Sequence, residues 1–205
     1  MMPGTFPLFS TQGAVGQIRR IQTITVVWMS VEAAVSLWVA WTARSPALFA
    51  FGGDSFIELF SAVVVFWRFA GKDREWAERR AAIVAGVLLF ALAAFVAGTS
   101  VLTLSGRSEP KPTKLGIAVL VMAAVFMPWL AKRKHLLAAT TGSASLKADA
   151  TESATCGYLS LIALVGLLIN AIWHISWADP VAAVCLLPFI VREGGEAIRG
   201  KHDCC

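Results

Sequence analysis

The sequence predicts an all-α fold, a bundle of six transmembrane helices, on three observations. The chain of 205 residues is 57% hydrophobic and only 15% charged, whereas a soluble domain carries about 25% charged residues. Its apolar residues gather into six stretches, at 21–43, 47–69, 81–104, 115–131, 153–173 and 178–191, most of them near the ~20 residues a helix needs to cross a bilayer. Basic residues crowd alternate connections, as they do in a chain that crosses a membrane back and forth.

Each element has its own justification. Residues 1–18 are expected to form an N-terminal segment; they lack a basic start and a small-residue cleavage site, and the first apolar stretch contains Glu32, so this is not a removable signal. Ser45 before Pro46 opens the second span with a capping side chain followed by proline at the first helical position. The third and fourth spans follow, the fourth holding Pro128, and the longest connections are expected at 104–114 and 132–144. The fifth span is expected to begin near Ser145, because its polar start runs into the apolar stretch without a Gly or Pro break; this puts Asp149 and Glu152 on the helix. Trp173, His174 and Trp177 fall at its interfacial end, where amphipathic rings collect. The sixth span opens on Asp179, read as its cap, before Pro180, and beyond Val191 the sequence reads as a polar tail. The domain division is thus a cytoplasmic segment at 1–18, a membrane domain at 19–199 and a tail at 200–205.

Arg19, Arg20, Lys72, Arg80, Lys132 and Lys134 belong to one side, Arg44, Arg107 and Lys111 to the other. The richer side is expected to be cytoplasmic, which places both termini inside and the chain in the plasma (inner) membrane. The net charge of +5 then reports topology and calls for no nucleic-acid partner. The four cysteines are expected to be free thiols, two within the bilayer and two, Cys204 and Cys205, at a reducing end. With no His-Glu-x-x-His spacing, no phosphate loop and no nucleophile with a base, an enzyme is not expected.

Two ligand-type pairs carry the chemistry. Asp54 and Glu58 lie four apart in the second span, after Gly52 and Gly53; Glu152 and Cys156 repeat the step in the fifth. Residues four apart share a helix face, and ionisable groups in hydrocarbon are expensive enough to default to a functional reading. On facing helices the pairs offer three carboxylates and a thiol to one divalent cation. Asp149, three residues before Glu152, is a possible entry residue, and Glu32 either relays a proton or hydrogen-bonds the bundle. His202, Asp203, Cys204 and Cys205 form a metal-liking end, read as a frayed tail.

Here the sequence resembles the cation diffusion facilitator (cation efflux) family, six-span carriers that export zinc and related divalent ions in exchange for protons. The resemblance rests on Asp54 with Glu58, on Glu152 with Cys156 after Lys147-Ala148-Asp149, on Ala178-Asp179-Pro180, and on Trp28 followed by Glu32-Ala33. It implies a proton-coupled antiporter with Asp54, Glu58, Glu152 and Cys156 as metal ligands. The metal is then substrate and no permanent cofactor is implied. The family's fifth-span pair is usually histidine and aspartate; Glu152 and Cys156 leave zinc first but bring cadmium, manganese and ferrous iron into range. The family's cytoplasmic C-terminal domain is expected to be missing, so that a homodimer would form through the spans. The alternative is a non-transporting membrane metal sensor or helical assembly subunit.

Overall fold

The computed structural model describes residues 11–68, 75–142 and 144–199, and every element in them is helical. The six helices are α1 (Thr11–Ala43), α2 (Pro46–Arg68), α3 (Glu75–Leu104), α4 (Lys114–Thr141), α5 (Ala144–Trp173) and α6 (Ala178–Arg199). Four of them, α1, α3, α4 and α5, are long and apolar enough to cross a membrane. The other two, α2 and α6, carry Asp54, Glu58, Asp179 and Glu193. Outward faces are apolar, with Val27, Val31, Phe95, Val125 and Val165 all exposed, an arrangement that costs stability in water and suits lipid. The chain is an integral membrane protein. Lys72 and the end from His202 to Cys205 lie outside the described residues.

Helix edges differ from the sequence expectation in three places. The first helix starts at Thr11, inside the segment assigned to the N-terminal region. The fourth runs on to Thr141 and absorbs the basic run 132–135 that reads as a connection; it stops where Gly142 takes the left-handed conformation (φ 66°) open to glycine. The sixth continues through Gly194 and Gly195 to Arg199 instead of ending at Val191. Tertiary packing explains that continuation: Gly194 is pressed onto α3 and Gly86 onto α6, so that a Cβ on Gly86 would stand 2.8 Å from the Gly194 carbonyl oxygen. Contact this close offsets the roughly 1 kcal/mol that a helical glycine costs.

One end of the bundle is tied by hydrogen bonds. Ser45 Oγ accepts from the backbone N–H of Leu48 and so caps α2 as expected. Asp179 does not cap its own helix: its carboxylate accepts from Ser45 Oγ and from the Ala47 N–H at 3.2 Å, and so closes the start of α2. The Lys111 N–H reaches the Ala43 carbonyl and Asn170 Nδ2 the Pro110 carbonyl, joining the three connections at this end. Trp38, Trp41, Trp173 and Trp177 are exposed around it, as an interfacial aromatic belt would be.

Within the bundle α4 lies along α5, α3 along α6 and α1 along α2, while α2 also touches α3, α5 and α6. The glycines before Asp54 permit this central position. A Cβ on Gly52 would meet Ser36 of α1 at 2.8 Å, and one on Gly53 would meet Leu92 of α3 at 2.5 Å. The α2 carboxylates are thereby held between α5 and α6.

Candidate metal site

Asp54 and Glu58 stand one turn apart on α2, Asp54 only 1% exposed and Glu58 half-buried. The group that joins them comes from α6. One carboxylate oxygen each from Asp54, Glu58 and Glu193 lies within 4.8 Å of the other two. Neither oxygen of Asp54 accepts a hydrogen bond, nor do the buried Glu58 Oε1 and Glu193 Oε2. A proton on Asp54 or Glu193 would let that pair bond directly. With all three ionised, their buried oxygens have no hydrogen-bond donor among the described residues. Desolvating an ionised carboxylate costs several kcal/mol after relaxation, so the cluster calls for a proton or a cation. Two ligands of a tetrahedral ion bound at 2.0–2.2 Å are about 3.3–3.6 Å apart, a span inside the 4.8 Å that bounds these oxygens.

The α5 residues are placed differently. Glu152 is exposed and outside the three-carboxylate cluster, yet its charge reaches Asp54, Glu58 and Glu193. It is therefore a neighbour of the α2 pair and not a member of its cluster. Cys156 is fully buried and belongs to a second polar group, in which its Sγ lies 3.6 Å from Glu32 Oε1 and 3.8 Å from Ser55 Oγ. Of the four residues in the two sequence-derived pairs, the structure thus brings together Asp54 and Glu58, and sets Glu152 and Cys156 on the flank.

Glu32 is the centre of that second group. Its carboxylate accepts from Trp28 Nε1 and from Ser55 Oγ at 3.0 Å, which bridges α1 to α2. Of its two expected roles, bundle hydrogen bonding is the one these contacts serve. Asp149 is likewise engaged: Gln22 Nε2 donates to it at 2.7 Å and Lys134 Nζ at 2.8 Å, and Lys134 also reaches Ser153 Oγ. Lys134, which the sequence reading counts as a solvated topology charge, is fully buried. A buried ammonium needs such partners, and Asp149, Ser153 and Gln22 link α4, α5 and α1 around it.

Glu193 escapes the sequence reading because the apolar stretch of α6 stops at Val191. A signal was present: the buried positions Asp179, Ala182, Ala183, Leu186, Ile190 and Gly194 repeat every three to four residues, and Glu193 continues that stripe from Ile190 and Leu186.

Comparison with protein families finds that the cation efflux transmembrane domain matches residues 23–201. The chain belongs to the cation efflux family. A comparison with curated proteins finds no match. Membership of the cation efflux family makes the bundle a membrane transporter of metal cations, and the acid cluster between α2 and α6 lies within the matched region.

Proposed function

We propose that this cation efflux protein exports a divalent cation, zinc first, in exchange for protons, with the α2 pair Asp54 and Glu58 as its central ligands. The observation that carries this reading is the orphaned Asp54 carboxylate: 1% exposed, both oxygens without a donor, and set among other carboxylates. Glu152, on the facing helix α5, and Cys156, one turn further along it, complete the ligand set when α5 and α2 close on each other. Four ligands suit tetrahedral zinc. The thiol also admits cadmium, and the carboxylates admit manganese and ferrous iron.

Proton coupling follows from the ligands themselves, which bind metal only when deprotonated. Protonation from the exit side expels the ion, and the next ion expels the protons. Both termini then face the cytoplasm, where the basic connections gather, and the exposed apolar faces of the helices leave room for a homodimer through the spans.

The test is flux in proteoliposomes. A zinc gradient is expected to drive saturable zinc uptake with counterflow of protons, and Asp54→Ala is expected to remove both. Uptake unaffected by Asp54→Ala and Glu152→Ala together would overturn the assignment of the site. Stoichiometric zinc binding without translocation in sealed vesicles would point to a sensor.

A further inference from the structure

We infer that Glu193 of α6 is itself a cation ligand, so that Asp54, Glu58 and Glu193 form an all-oxygen binding station in addition to the oxygen and sulfur set completed by α5. This rests on the reading of the α2 pair as the cargo site. It extends that site to a helix whose acidic residues the sequence pairs do not include.

Three observations converge. The first is proximity: an oxygen of Glu193 falls within 4.8 Å of one from each α2 carboxylate. The second is that these buried oxygens have no donor from outside the cluster among the described residues. Asp54 is 1% exposed with both oxygens unbonded, and the buried Glu193 Oε2 and Glu58 Oε1 are also without a donor. A carboxylate retained only to hold helices together would be hydrogen-bonded, as Glu32 is in the same bundle through Trp28 and Ser55. Arg192, the nearest basic residue in sequence, turns outward instead and bonds Glu196 at 2.8 Å with its side chain 79% exposed.

The third observation is depth. Measured from the Ser45–Asp179 contact that joins the two helices, Glu58 lies about 20 Å along α2 and Glu193 about 21 Å along α6, at 1.5 Å of rise per residue. The two carboxylates are therefore at matching levels, and helix geometry allows their contact.

The ligand class follows from the donors. Three carboxylate oxygens and no sulfur favour hard or borderline ions such as manganese and ferrous iron over cadmium. In this station Cys156 takes no part, since it is turned to Glu32 and Ser55.

Calorimetric titration of the full-length protein in detergent with manganese or cadmium chloride tests this. Glu193→Gln, which keeps the shape of the side chain and removes its charge, is expected to weaken manganese binding by about tenfold or more. Glu193→Cys is expected to shift the cadmium-over-manganese preference upward by about tenfold or more, a change that a merely structural residue would not produce. Glu196→Gln, one turn away on the surface, is expected to bind both metals as the unsubstituted chain does. Manganese binding unchanged in Glu193→Gln, or metal preference unchanged in Glu193→Cys, overturns the inference. If Asp54→Ala loses binding in the same titrations, the proposed function survives that failure; if Asp54→Ala also binds normally, the α2 site itself falls.

Discussion

Two polar groups lie side by side in this bundle and are built in opposite ways. Around Glu32 every visible need is met: an indole N–H and a hydroxyl donate to the carboxylate, and the Cys156 thiol packs beside them. Asp149 is similar, held by a buried lysine and a glutamine. Around Asp54 no group outside the acid cluster donates, among the described residues. Buried polar groups are almost always hydrogen-bonded, so the first kind fixes helices in place, while the second calls for a proton or a cation. On the proposed function a carboxyl group thus serves architecture on α1 and cargo on α2, and the distinction is made by neighbours.

Substitutions that treat the two groups alike sharpen the contrast. The largest expected effect is on transport. Asp54→Asn should abolish metal flux in proteoliposomes while leaving the unfolding temperature in detergent unchanged or raised, because it removes an unpartnered carboxylate. Lys134→Ala should do the reverse to stability. It leaves Asp149 half-buried with only Gln22 beside it, and the protein should lose about 3 kcal/mol, read from denaturant midpoints, given the cost of breaking a buried pair by removing one partner. The double variant Lys134→Met with Asp149→Asn should recover most of that loss.

Smaller changes probe the same boundary. Ser55→Ala takes one donor from Glu32 and should cost about 1–2 kcal/mol by the same readout, the penalty for an under-satisfied buried acceptor. Cys156→Ser should change stability by less than about 1.5 kcal/mol, the range of near-isosteric core changes. Its informative readout is selectivity: cadmium transport should fall relative to manganese if the thiol joins the ligands during the cycle.

Much of this was legible in the sequence. Apolar stretches and short connections gave the helices, and Ser45-Pro46 marked the start of α2 correctly, because capping is a local property. The acidic pair on α2 was visible as charge placed in hydrocarbon. What could not be read was the destination of each side chain. Asp179 has the position of a cap for its own helix and instead caps α2. Glu152 and Cys156 share a helix face by spacing, but one is exposed and the other is buried against Glu32, a matter of how α5 is rotated against α1 and α2. Glu193 lay beyond the apolar stretch that ends at Val191, where Gly194 and Ile198 pack on Gly86 and Arg192 pairs with Glu196 as the helix continues.

The bond between Ser45 and Asp179 has a mechanical consequence. It pins α2 and α6 at one end, so any relative swing of these helices turns about that point, and Glu193 sits about 21 Å out along the lever. A tilt of only about 10° would carry its carboxylate roughly 4 Å at that radius. On the proposed function that stroke is enough to break or remake contact with an ion held by Asp54 and Glu58. The backbone contact of Gly86 with Gly194 obliges α3 to travel with it.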